Sequence, residues 1–169
     1  MTQRIVTPPL PDTLRARGFT LIELVITLAI IGLLASAAMP LAELVAKREK
    51  EAELRTAVRD IRDALDAYRR ASQTGHIKME QGASGYPPDL QSLYQGVEDE
   101  MSEKKVNLYF LRRIPRDPFF PDGSVAAEET WGLRSYQSPP DDPQPGDDVF
   151  DVHSLSTGTG LNGIPYRDW

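Results

Sequence analysis

FTLIELVITLAIIGLLASAAMPLA, residues 19–42, is the stretch on which the reading of this chain turns. Its 24 residues carry a single charge, Glu23. At a helical rise of ~1.5 Å per residue they are long enough to cross a hydrocarbon core of ~30 Å. A buried core helix is the alternative, but such helices seldom run so far without a polar interruption. The segment is therefore expected to span a membrane. Pro40 should kink it, since the proline ring blocks a backbone hydrogen bond within a helix.

Upstream, residues 1–18 carry Thr7-Pro8-Pro9-Leu10-Pro11 and then Arg15 and Arg17. The prolines disfavour helix, and the segment reads as a disordered cytoplasmic leader. An ordinary secretory signal would place its small-residue cleavage site after the apolar stretch. Ala35-Ser36-Ala37-Ala38-Met39 resembles such a site and is the competing reading. Charge counting does not orient the span, because Lys47, Arg48, Lys50 and Arg55 follow it as closely as the arginines precede it.

Downstream the helical pattern continues. Leu54, Val58, Ile61, Leu65 and Tyr68 make one apolar stripe at alternating spacings of four and three, with Arg, Asp and Glu between them. The helix should run to about Ala71, with Gly75 as its terminator. Tyr86-Pro87-Pro88-Asp89 reads as a turn into a short helix over 90–95, stopped by Gly96. Residues 131–136 and 149–155 read as strands, separated by a Pro- and Asp-rich loop at 139–148. The tail, 156–169, should be ordered loop. The expected fold class is α+β: a long N-terminal helix, membrane-spanning in its first half, whose outer half packs on a small C-terminal antiparallel sheet.

Composition narrows the function. The chain has 169 residues, a formal net charge of -6 and no cysteine. That excludes a disulfide framework, a zinc-thiolate site and a thiol nucleophile, and an acidic chain does not suit a nucleic-acid surface. Loss of residues 1–18 would remove Arg4, Arg15, Arg17 and Asp12, leaving 16 basic and 24 acidic side chains. His76 and His153 are the only histidines and lie far apart, so no metal-ligand pair is present. No phosphate loop or nucleophile elbow occurs, and nothing suggests catalysis. Lys47-Arg48-Glu49-Lys50-Glu51 reads as a solvated helix face. Arg112, Arg113 and Arg116 form a basic cluster, suited either to an acidic neighbour in a filament or to a solvated loop.

The residues that carry function are Arg17-Gly18-Phe19-Thr20-Leu21-Ile22-Glu23-Leu24. They resemble the processing site of type IV prepilins and of the pseudopilins of type II secretion. The resemblance implies cleavage after Gly18 by the prepilin peptidase on the cytoplasmic side, and methylation of the new amine on Phe19. It also marks Glu23, five residues into the mature chain, and Pro40 as hallmarks. A lone carboxylate in a span costs roughly 2.5–3.5 kcal/mol on insertion scales. An ion pair between Glu23 and the Phe19 ammonium of a neighbouring subunit would neutralise both during packing. The alternative is a Glu23 that sits at headgroup level with no specific role.

A second resemblance covers most of the remainder. Gly85-Tyr86-Pro87-Pro88-Asp89-Leu90, Leu111-Arg112-Arg113-Ile114-Pro115-Arg116-Asp117-Pro118, Trp131-Gly132-Leu133-Arg134-Ser135-Tyr136, and Val149-Phe150-Asp151-Val152-His153-Ser154-Leu155 with a closing Trp169 follow the layout of the major pseudopilin of type II secretion. Their plain structural reading is loop-setting prolines, with Trp131 and Tyr136 filling core. The family resemblance implies calcium in the C-terminal loop. Here Ser156-Thr157-Gly158-Thr159-Gly160-Leu161-Asn162-Gly163 has no carboxylate where the family has aspartate. Thr159, Asn162 and Asp168 are the oxygen ligands left for calcium, and a self-capped loop pinned by Trp169 is the favoured reading.

The implied organisation is a cleaved leader at 1–18, a transmembrane and assembly helix at 19–42, and a periplasmic pilin-like domain at 43–169. The implied function is a structural subunit of the periplasmic pseudopilus that drives protein secretion, single-pass in the bacterial inner membrane. Its partners would be further copies, minor pseudopilins, the prepilin peptidase and the inner-membrane secretion platform. A type IV pilin is the runner-up, disfavoured by the absence of a C-terminal cysteine pair. A signal-anchored periplasmic binding module is the third reading.

Overall fold

The computed structural model describes residues 18–169, so the leader reading of residues 1–17 lies outside the described residues. The chain divides after Glu43 into two compact units, the second being Leu44–Trp169. Helix α1, Leu21–Gln73, contributes to both.

In the first unit the large apolar side chains from Phe19 to Leu41 are exposed. Among the described residues, α1 is the one helix long and apolar enough to cross a membrane. Pro40 lies inside it. With no N–H on Pro40, the Ser36 carbonyl has no amide four residues on to accept from.

In the second unit the predicted stripe is the core. Leu54, Val58, Ile61, Leu65 and Tyr68 are buried, joined by Ala57 and Ala64. Each large side chain so buried contributes about 1.5–3 kcal/mol. They share one cluster with Leu90, Leu93, Ile114, Trp131, Val149, Val152 and Tyr166. The helix ends through a paired-bond motif. The Gly75 N–H donates to the Ser72 carbonyl (3.2 Å) and the His76 N–H to Ala71 (2.9 Å). Gly75 holds φ +82°, the left-handed conformation this ending requires.

The short helix α2 covers Ser92–Gln95, two residues shorter than the predicted 90–95. Asp89 explains the late start: its carboxylate accepts from the Ser92 N–H and hydroxyl, both at 2.8 Å, so Leu90 and Gln91 form a turn. Among the described residues, the expected antiparallel sheet structure is present as two two-stranded ribbons. Strand β1, Val97–Glu98, pairs with β2, Asn107–Leu108; β3, Trp131–Arg134, pairs with β4, Asp151–Ser154. The second ribbon sets Trp131 opposite Ser154 and Arg134 opposite Asp151.

Both β3 and β4 are shorter than predicted because neighbouring backbone groups bond elsewhere. The Ser135 N–H goes to the Gln144 carbonyl, the Tyr136 N–H to the Asp148 carboxylate, and the Val149 N–H to Pro87. Tyr136 is accordingly not core, as expected from sequence, but 49% exposed. It stacks on Tyr86 at 6.0 Å between ring centroids.

Candidate functional site

The head of α1 is built on a reciprocal pair. The Glu23 carboxylate accepts from the Thr20 N–H and from the Thr20 hydroxyl, both at 2.9 Å. The same hydroxyl accepts from the Glu23 N–H at 3.2 Å. This capping box satisfies amides that the first helical turn would otherwise leave open. It also explains why the helix begins at Leu21 rather than Phe19. Sequence reasoning gave Glu23 a partner in a neighbouring subunit and missed its partner in its own chain. The Thr-x-x-Glu spacing is the signal that points to it.

Phe19 precedes the cap and is exposed, and a side chain added at Gly18 would meet open space. Among the described residues, nothing packed against Gly18 demands glycine there.

Three side chains of α1 spaced four apart, Lys47, Glu51 and Arg55, meet the C-terminal loop, and Arg62 also donates to the Trp169 carbonyl at 3.1 Å. Lys47 Nζ donates to the Thr159 carbonyl at 2.9 Å. Glu51 is 3% exposed, and its Oε1 accepts from the Leu161 N–H (2.8 Å) and the Tyr166 hydroxyl (3.1 Å). The Arg55 guanidinium lies 4.0 Å from the Trp169 ring centroid and pairs with Glu51 at 3.7 Å. Burial, and then the hydrogen bond to Glu51, push the Tyr166 hydroxyl up to about 12. The expectation of a solvated face over residues 47–51 is thus corrected at Lys47 and Glu51. The helical repeat carries the core stripe back from Leu54 to Glu51, and the loop's donors make its burial tolerable.

The loop also closes on itself. Thr159 bridges Pro165, the Gly160 N–H donates to Ile164, and the Trp169 indole N–H donates to the Ile164 carbonyl at 3.2 Å. A side chain at Gly160 would run into the Trp169 ring, so only glycine fits there. The three calcium candidates face different partners. The Thr159 carbonyl takes the Lys47 ammonium, Asn162 Oδ1 accepts from the Ile164 N–H (3.0 Å), and Asp168 pairs with Arg167 (3.6 Å). No group of three or more acidic, His or Cys side chains is placed to hold a metal among the described residues. These residues do not fit a calcium site, because an ammonium already stands on the carbonyl that a cation would need.

The basic cluster divides. Arg116 donates to the carbonyls of Val125 and Asp122 and clamps the loop between them, whereas Arg112 and Arg113 are exposed. Beside Arg116, Asp117 is 1% exposed and accepts from the Phe119 N–H (2.8 Å) and the Ser154 hydroxyl (2.6 Å). His76 bonds Asp99 at 2.9 Å, which holds the Asp99 carboxyl below its usual range. His153 is half-buried in β4, and its pKa is lowered by burial and by Arg167. Among the described residues, neither histidine is part of a group of side chains that could hold a metal.

The family described as "Prokaryotic N-terminal methylation motif" matches residues 13–39. The "Type II secretion system core protein G" of Dickeya chrysanthemi is 30% identical over 154 residues, which cover 88% of this chain and 94% of that protein. The protein of the same description from Klebsiella pneumoniae is 32% identical over 115 residues, covering 64% of this chain and 72% of its own. No solved structure matches.

Proposed function

Because the chain belongs to the family of type II secretion system core protein G, the major pseudopilins, we propose that its capped apolar helix is the device by which it is processed, anchored and polymerised. In this reading it is a structural subunit, not a catalyst, of the pseudopilus that drives type II protein secretion. The prepilin peptidase cuts after Gly18 and methylates Phe19. Residues 19–42 then hold the subunit in the inner membrane with residues 43–169 in the periplasm, and Pro40 is the point at which the helix kinks. Its partners are further copies, minor pseudopilins and the inner-membrane platform. A type IV pilin would share the N-terminal motif, but the similarity to the core protein of type II secretion extends over most of the chain.

The observation that carries this reading is the Thr20–Glu23 box at the head of the exposed apolar stretch of α1. In the intact chain the carboxylate is held by its own helix. Cleavage would add the Phe19 ammonium, giving Glu23 a charged partner on an adjacent subunit. Pairing removes the cost of a lone carboxylate within the bilayer, and methylation leaves the amine charged.

One experiment with two variants tests it, scored by N-terminal sequencing, membrane fractionation and fibre counts in cells. Gly18→Val should remain an unprocessed, membrane-bound precursor, since the fold accepts the side chain and only the peptidase should refuse it. Glu23→Ala should be processed and inserted normally yet fail to assemble. Removing the carboxylate eases insertion but strands the neighbour's ammonium, and breaking a buried pair this way costs about 3–5 kcal/mol. A mature chain beginning after Ala37 or Ala38 would point to an ordinary secretory signal. Normal fibre levels from Glu23→Ala would reduce that carboxylate to a cap.

A further inference from the structure

We infer that the C-terminal loop of this chain, residues 156–169, is closed by protein groups alone, with the Lys47 ammonium as the cation bound to its backbone, so that the fold needs no calcium. The inference goes beyond the assembly reading and does not depend on whether the subunit polymerises.

Lys47, Glu51 and Arg55 recur at intervals of four, which sets them one above another on a single face of α1. Each meets a different part of the loop: Lys47 the Thr159 carbonyl, Glu51 the Leu161 amide and Tyr166 hydroxyl, Arg55 the Trp169 ring. The three contacts reach from the loop's first turn to its last residue. The charge logic is that of a metal site turned inside out. A calcium ion would gather several carboxylates and carbonyls around one positive centre. Here the positive centre is a side chain of the helix, already bonded to a loop carbonyl. The buried carboxylate comes from the helix too, and it accepts from loop donors.

A divalent cation placed at Thr159 would meet the Lys47 charge at close range. Of the remaining oxygen candidates, Asn162 Oδ1 already accepts from the Ile164 amide, and Asp168 is an exposed carboxylate 3.6 Å from Arg167. Gly160 completes the closure, because its missing side chain admits the Trp169 ring and Asn162 Oδ1 to the loop backbone.

The test uses the full-length protein in detergent micelles. Thermal unfolding is followed by tryptophan fluorescence with calcium chelated and again with calcium in large excess, and calcium binding is measured by titration calorimetry. A ligand present at about 100 times its Kd raises Tm by several degrees. The expected result is one Tm in both conditions and no heat of binding. Lys47→Met and Glu51→Leu should each lower Tm equally with and without calcium, and should open the loop to limited proteolysis. Lys47→Arg should recover much of the loss. Should Glu51→Leu fail to fold, the partly exposed Lys47 carries the test. A calcium-dependent rise of several degrees in the unaltered protein overturns the inference, and so does unchanged stability of Lys47→Met.

Discussion

Glu51 illustrates how a residue changes meaning between sequence and structure. In the string Lys47-Arg48-Glu49-Lys50-Glu51 it is one of five consecutive charges. In the fold it is buried beneath the loop, taking one bond from a backbone amide and one from a tyrosine. A buried carboxylate left without donors would cost several kcal/mol, so these two bonds are what permit it. The tyrosine side of the pair has a consequence for pH. An unfolded tyrosine titrates near 10, whereas Tyr166 is raised to about 12 in the fold. A raised pKa means the folded state holds the proton more tightly. The stability this contributes is fully present below about pH 10 and is lost as pH rises toward about 12. The loop should therefore loosen in that window. Tyr166→Phe should be less stable at neutral pH and should show a shallower alkaline decline, read from Tm as a function of pH. Parallel alkaline profiles for the two proteins would mean that the hydroxyl does not report on loop closure.

At the scale of the element, α1 is determined at both ends by local chemistry. Thr20 and Glu23 start it, and Gly75 stops it in a left-handed conformation that admits the paired bonds to Ser72 and Ala71. A side chain at Gly75 would meet open space. The cost of replacing it is therefore one of backbone conformation, not of packing. Gly75→Ala should destabilise the protein by ~1–2 kcal/mol, the usual penalty of a left-handed residue bearing a Cβ. Gly75→Asn should cost less, because asparagine tolerates that region. Thermal or denaturant melts of the two variants check this, and an alanine variant as stable as the parent would show that the helix can end another way.

For the whole molecule, the distribution of burial among the described residues separates an exposed apolar segment from a unit with its own core. The buried hydrophobic residues begin at Leu54, while the large apolar side chains of 19–41 are exposed. Deleting residues 1–42 should accordingly leave a folded, monomeric protein. The stripe from Leu54 to Tyr68 keeps its partners Leu93, Trp131, Val149 and Val152. Sedimentation and circular dichroism read the outcome. Persistent filaments from the truncated chain would show that assembly does not reside in the apolar helix.

Local, periodic signals are legible in the amino-acid sequence itself. The apolar run at 19–42, the three–four spacing of Leu54 to Tyr68 and the glycine at 75 each act within a few turns of one helix, so sequence spacing alone determined α1, its core face and its end. The strands were legible as existing but not in extent. Ser135, Tyr136 and Val149 leave the ladder for partners at Gln144, Asp148 and Pro87, and no property of those three residues announces this. The motif at residues 17–24 was plain in sequence because it is a run of contiguous residues. The self-capped C-terminal loop pinned by Trp169 was legible too, but its ties to α1 were not. These join Lys47 to Thr159 and Glu51 to Leu161, positions more than a hundred residues apart. Whether a helical charge faces water or a loop carbonyl depends on where the returning chain lays its backbone. Only the tertiary structure decides that, because the energy of each such bond depends on the burial and the partners that the closed fold supplies.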